Sequence, residues 1–143
     1  MSKRYRTIYQ LARNTAGLTQ LAAAEMLNIS VRSLGDYELG NTVPHSDIVA
    51  DMIKIYGTKW LGYEHLRQSK LGTQILPEID VTDIAKSVLV LQKESGDVED
   101  VKPCMVNIAC DGMVEKHEEE GWNKVTKEVF EMAGAALSVV FSR

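Results

Sequence analysis

The stretch Gly17-Leu18-Thr19-Gln20-Leu21-Ala22-Ala23-Ala24-Glu25-Met26-Leu27-Asn28-Ile29-Ser30-Val31-Arg32-Ser33-Leu34-Gly35-Asp36-Tyr37-Glu38-Leu39-Gly40 reads as two short helices joined by a tight turn. Thr19 is placed to cap the first, in which Gln20, Ala23, Ala24 and Leu27 recur at helical spacing, and the small alanines let a neighbouring helix approach closely. Asn28 and Ile29 turn the chain, since Asn tolerates left-handed dihedrals; Ser30 caps the second helix, and Gly40 ends it. Two capped helices with such a turn form a helix-turn-helix pattern. In the second helix Leu34 and Tyr37 point back into the domain, while Val31, Arg32, Gly35 and Asp36 share another side at i, i+1, i+4, i+5. So mixed a face does not read as core. The plainer alternative is a helical hairpin packed in a small bundle.

Working outward, Tyr5 to Ala16 carries Ile8, Leu11, Ala12 and Thr15 at i, i+3, i+4, i+7, and Gly17 stops this first helix. Ahead of it Lys3, Arg4 and Arg6 form a short basic arm, either a solvated terminus or a phosphate contact. After Gly40 the loop Asn41-Thr42-Val43-Pro44 offers small polar groups. A fourth helix follows, with Val49, Met52, Ile53 and Tyr56 on one face and Gly57 at its end. Trp60, Leu61 and Leu66 mark a fifth, from Thr58 to Arg67.

Residues 69–80, with Gly72 and Pro77, read as a linker between this unit (1–68) and a second one (81–143). In the second unit Ile84, Ala85, Val88 and Leu91 predict one helix over Val81 to Glu94, and Gly96-Asp97 a break. Val98, Val101, Met105 and Ile108 predict a second helix, with Pro103 tolerable only near its start. Past Asp111-Gly112, a long amphipathic helix from about Glu115 to Phe141 is expected from Trp122, Val125, Val129, Met132, Ala136 and Val140. Three such helices form a marginal core alone, so this unit is expected to be a dimerisation or effector-sensing module; the alternative is an appendage packed on its own N-terminal domain.

Composition is that of an ordinary globular protein, with 45% hydrophobic and 25% charged residues in 143. The net charge of −4 hides an asymmetry. Residues 1–76 carry nine Lys or Arg against six Asp or Glu, a net of +3, while residues 77–143 carry seven against fourteen, a net of −7. Phosphate contacts are local, so the basic half is free to bind nucleic acid. No run approaches a membrane span and no secretory leader precedes the first helix, so a cytoplasmic protein without membrane contact is expected. Cys104 and Cys110, six apart, are expected to be reduced core thiols.

Enzymatic readings find no support: His45, His65 and His117 are scattered, and no phosphate-cradling Gly-rich loop or nucleophile motif occurs. Cys110, Asp111, Glu115, His117 and Glu118 lack the spacings of zinc or calcium sites and read as a solvated acidic turn, so neither metal nor cofactor is expected. Trp60 and Trp122 read as core anchors.

Residues Tyr5 to Leu66 resemble the phage repressor and Cro type of helix-turn-helix domain, the XRE family. The resemblance lies in Leu18-Thr19-Gln20, Ala24, Leu27, Ser30, Leu34, Glu38, Gly40, Pro44 and Trp60-Leu61. It implies an all-α chain: a five-helix, lambda-repressor-like DNA-binding domain followed by a helical oligomerisation module of about three helices. It also implies that Val31, Arg32 and Asp36 meet base edges and that Gln20 meets a phosphate; from the residues themselves, Ser33 joins the base-reading face, and Ser30, Asn41 and Thr42 offer hydrogen bonds to the DNA backbone. Arg13 and Glu38 would form a structural ion pair. Chemically, Arg32 suits guanine O6 and N7, Val31 a thymine methyl, and Asp36 cytosine N4. Two features depart from the family: Gly35 inside the second helix, and a loop after Gly40 without Lys or Arg. The function so implied is a double-stranded DNA-binding transcriptional regulator, a prophage-type repressor acting as a homodimer or higher homo-oligomer on an inverted repeat. The rivals are an antitoxin whose C-terminal helices bind a toxin, and a helical interaction protein that binds no DNA. A small-molecule effector is left undefined.

Overall fold

In a computed structural model that describes residues 7–142, all regular structure is helical, in two compact units divided between Gln74 and Ile75. The basic arm Lys3, Arg4 and Arg6 lies outside the described residues.

The first unit holds α1 (Ile8–Thr15), α2 (Gln20–Leu27), α3 (Val31–Leu39), α4 (Ser46–Tyr56) and α5 (Lys59–Arg67). Each start has a local cause. The Thr7, Thr19 and Ser30 hydroxyls accept from the backbone N–H groups of Gln10, Ala22 and Ser33, satisfying donors that a helix leaves open at its first turn. The stops are equally local: Asn28 (φ 54°) and Gly40 (φ 78°) take the left-handed conformation that reverses the chain after α2 and α3. α1 packs on α3, α4 and α5, and α2 on α3 and α4, around Leu34, Met52 and Leu61, with Trp60 buried at the edge. Across the α1–α5 contact the Tyr9 hydroxyl and His65 Nδ1 are hydrogen-bonded at 2.8 Å. Burial lowers the His65 pKa and raises that of Tyr9.

Residues 69–80, polar enough to read as a linker, carry structure. Gly72 starts a short helix, α6 (Gly72–Ile75), against the end of α5, where an added Cβ would sit 2.0 Å from the Leu66 carbonyl oxygen.

In the second unit the three expected helices are two, α7 (Ile84–Ala109) and α8 (Glu119–Phe141), forming an antiparallel hairpin. Gly96-Asp97 does not break α7, and Pro103 lies inside it. Local helix-breaking signals lose here to packing. Ser87, Leu91, Glu94, Val98, Val101, Met105 and Ile108 repeat at 4-3-4-3-4-3 spacing, all buried or half-buried, and so do Gly121, Val125, Glu128, Met132, Ala135, Val139 and Ser142. The Ser87 and Ser142 hydroxyls meet at 2.9 Å, and a Cβ on Gly121 would stand 3.1 Å from Cys104 Sγ. Gly96 and Pro103 fall on the exposed side, and Lys93 bridges the glycine by pairing with Asp97 at 2.7 Å. Cys104 and Cys110 are both exposed, against the expectation of core thiols, because Val101, Met105 and Ile108 occupy the seam in their place. Trp122 is half-buried. No described helix is long and apolar enough to cross a membrane.

The segment Pro77 to Asp80 crosses α8 at Gly134, whose Cα comes so close that a Cβ would lie 2.7 Å from the Glu78 carbonyl oxygen. Ser138 Oγ accepts from the Asp80 backbone N–H at 3.0 Å, and Ser87 Oγ donates to the Asp80 carbonyl at 3.0 Å. The Lys86 ammonium, donating to Asp80 Oδ2 at 2.6 Å, and the Thr82 hydroxyl hold the Asp80 carboxyl down at about 2.

Two outcomes are expected. Gly134→Ala lowers the thermal midpoint of the second unit although alanine favours helix, whereas Gly96→Ala, at an open position, raises it; equal shifts in calorimetry would refute the close approach at Gly134. Because the folded state depresses the His65 pKa, the unfolded chain binds the proton more readily. The stability this residue contributes is therefore present above about pH 6.5 and lost as pH falls through the lower folded value. Urea midpoints followed through Trp60, in a Trp122→Phe background, should drop more between pH 7.5 and 5 in wild type than in His65→Gln.

Candidate nucleic-acid interface

The site is built around one buried carboxylate. Glu38, on α3, is 1% exposed, and Arg13, on α1, is 7% exposed. Arg13 Nε donates to Glu38 Oε1 at 2.5 Å and Nη2 to Oε2 at 2.9 Å, a bidentate pair, while Nη1 donates to the Leu18 carbonyl at 2.6 Å. Hydrogen bonding to Glu38, more than its charge, raises the Arg13 pKa further. Gln20, the first residue of α2, donates from Nε2 to Glu38 Oε2 at 2.8 Å, and the Thr7 hydroxyl donates to the Glu38 carbonyl at 3.2 Å. One acidic side chain thus joins α1, α2 and α3. Burial, and secondarily the charge of Glu38, pushes the Tyr56 phenol up to about 12, and its hydroxyl is buried without a hydrogen-bond partner among the described residues.

With its inner side fixed, α3 presents an outer side. Val31 is 41% exposed, Arg32 is exposed, and Ser33 and Asp36 are half-buried. Arg32 makes no hydrogen bond or ion pair with any described residue, so its whole guanidinium fork is available. Ser30 and Ser33 are engaged with each other, their hydroxyls 2.8 Å apart, while Ser30 Oγ also accepts the Ser33 N–H. Asp36 reaches along the helix: its Oδ1 accepts from Asn41 Nδ2 at 3.0 Å, and its carbonyl accepts from the Asn41 and Thr42 N–H groups at 2.9 and 3.4 Å. The loop after Gly40, with Asn41 and Thr42 exposed, is thereby tied to the end of α3. Leu34 is fully buried, but the second inward residue is Glu38 rather than Tyr37, which is half-buried.

Val31, Arg32, Ser33 and Asp36 accordingly lie on one helix, with Ser30 at its start and Asn41 and Thr42 just past its end; Gln20 lies at the start of the preceding helix. Gln20 commits one amide hydrogen to Glu38 and retains a second N–H and its carbonyl oxygen. Sequence reasoning missed the roles of Thr7 and Tyr56. A β-region Thr before the first periodic residue was the available signal for Thr7, whereas nothing local marks Tyr56 as a neighbour of Glu38. An added Cβ on Gly35 would meet nothing within 4 Å, so no packing inside the protein demands glycine there. The acidic turn after α7 satisfies itself, with Asp111 accepting from Met113 N–H at 3.0 Å and His117 facing Glu115 at 3.1 Å.

Residues 10–61 match the helix-turn-helix family, a span that runs from α1 into α5 and contains Arg13, Gln20, Glu38 and the outer side of α3. No curated protein and no solved structure matches the chain.

Three stability measurements probe the cluster. Glu38→Ala strands the Arg13 charge and should cost about 3–5 kcal/mol, well above any exposed substitution, in chemical denaturation. Tyr56→Phe removes a hydroxyl that has no partner and should be neutral or stabilising; a loss above about 1 kcal/mol would show that the hydroxyl is satisfied. Gly35→Ala should gain about 0.5–1 kcal/mol of stability.

Proposed function

We propose, from the premise that residues 10–61 form a DNA-binding helix-turn-helix domain of the Cro/XRE type, that the chain is a sequence-specific transcriptional repressor. In this reading it acts as a homodimer on an inverted-repeat operator in the cytoplasm and carries out no catalysis. The observation that carries the reading is an arginine with a free guanidinium, Arg32, beside an exposed valine on the outer side of a helix whose inner side is anchored by a buried ion pair.

The chemistry follows from reach and valence. Arg32 donates two parallel hydrogen bonds to guanine O6 and N7, and Val31 covers a thymine methyl. Asp36 accepts from cytosine N4, and Asn41, held by Asp36, keeps the following loop in register with the phosphates. Gln20 donates its remaining N–H to a phosphate at the start of α2, while Ser30 and Thr42 supply hydroxyls to the same backbone. The lack of a cation in the loop after Gly40 weakens the hold of one copy. A two-fold pair of recognition helices, reading half-sites about 34 Å apart, restores affinity by binding twice. Bound across a promoter, the dimer excludes polymerase.

Selection from a random DNA library should return an inverted repeat. Arg32→Ala should weaken binding to that site by about 1–3 kcal/mol and relax preference at one base pair per half-site, with melting unchanged. An unaltered footprint and base preference in Arg32→Ala would remove the residue from the interface.

A further inference from the structure

The α7–α8 hairpin consumes one stripe of α8 and leaves another. Trp122, Thr126, Val129, Ala133, Ala136 and Val140 repeat at 4-3-4-3-4 spacing, a second heptad seam displaced from the first around the helix. None of the six is charged, although α8 carries six Lys or Glu at other positions. Val129 and Val140 are 37% and 69% exposed. On α7, Val88 and Ile84 continue this apolar side at the open end of the hairpin, 41% and 52% exposed. The opposite flank of the hairpin is charged, with Lys93, Asp97, Lys124, Lys127 and Glu131 around one groove. Charge enters the apolar side toward the loop end of the hairpin, through Glu119 one heptad before Thr126 and Lys102 two heptads after Val88.

We propose that this second seam is the contact between two copies of the chain, α8 packing antiparallel on α8 of the second copy so that two hairpins close a four-helix bundle. The inference rests on the two-copy reading above and gives it a surface. Its warrant is symmetry. The stripe is balanced about position 131: turned end for end, it sets Trp122 against Val140, Thr126 against Ala136 and Val129 against Ala133 of the second copy. At the centre a large side chain then faces a small one, and every contact recurs on the other side of the axis, as an isologous interface requires. The size is adequate. With 23 residues α8 is about 34 Å long, and a hairpin face two helices wide offers roughly 700 Å² per copy, close to the ~800 Å² that each partner of a stable interface buries. Two-fold packing through this seam also leaves the charged groove in water.

The test uses the full chain in sedimentation equilibrium, with circular dichroism to verify helix content. Wild type is expected to be dimeric at micromolar concentration. Ala133→Glu and Val129→Lys, both at solvent-facing positions, should each raise the dimer dissociation constant at least ~100-fold by burying an unpaired charge. Because the register sets position 129 against position 133 of the second copy, an equimolar mixture of the two variants should recover dimers. A control, Lys127→Glu on the charged flank, should remain dimeric. A wild-type monomer would overturn the two-copy reading and this one together. A wild-type dimer that persists in Ala133→Glu would overturn the seam alone, and disruption of both singles without recovery in the mixture would overturn the antiparallel register.

Discussion

The placement of α3 depends on one buried charge pair. A carboxylate and a guanidinium withdrawn from water lose several kcal/mol of hydration each, which their attraction offsets only when nearly every donor and acceptor is satisfied. Here that condition is met. Both Glu38 oxygens accept from Arg13, Oε2 accepts again from Gln20, and the third guanidinium nitrogen reaches the Leu18 carbonyl. Such a pair contributes geometry more than stability. A hydrophobic side chain at Glu38 would let α3 slide and roll on α1, whereas a bidentate pair accepts one orientation, and rolling α3 by one residue would re-aim its outer side.

Its second consequence is division of labour. Because the inner side of α3 is held by Leu34 and Glu38, its start by the Ser30–Ser33 contact and its end by the Asp36–Asn41 hydrogen bond, Val31 and Arg32 are left without a structural task inside the domain. Val31 and Arg32 can therefore change without loss of the contacts that hold α3 in place. Gly35 fits the same logic: an added Cβ would touch no other part of the protein, so its small size serves either close approach from outside or nothing.

How far the sequence disclosed this follows from the range of each signal. Caps and stops at Thr19, Asn28, Ser30 and Gly40 are decided within four residues, and all four were legible. The partnership of Arg13 with Glu38 spans 25 residues and came through family resemblance, not through spacing. The approach of Tyr56 to that pair depends on how α4 crosses α3, which no periodicity encodes. In the second unit local signals misled. Gly96-Asp97 and Pro103 argue for breaks, yet Ser87 through Ile108 keeps one heptad phase without a stutter, and a phase kept across a supposed break is the stronger statement because it is summed over three turns on either side. Cys104 and Cys110 lie off the stripe that Val98, Val101, Met105 and Ile108 already mark, so their exposure was legible from that phase.

The seam of the hairpin carries polar side chains among its apolar ones. Ser87, Glu94, Glu128 and Ser142 occupy positions that a self-sufficient hairpin fills with leucine or isoleucine, and the two glutamates are 12% and 13% exposed at the side chain. Glu94 Oε1 is held by Lys93 at 3.1 Å while its buried Oε2 has no hydrogen-bond partner among the described residues. Four of the fourteen seam positions are thus polar, and an isolated pair of helices is a weak structure even with a good seam. Meanwhile valine and alanine are placed in water on the neighbouring stripe of α8. A seam diluted with polar groups beside an exposed apolar stripe is less favourable for one chain than for the proposed pair. In the proposed dimer the exposed stripe would be buried between the two copies, with the hairpin seams flanking it.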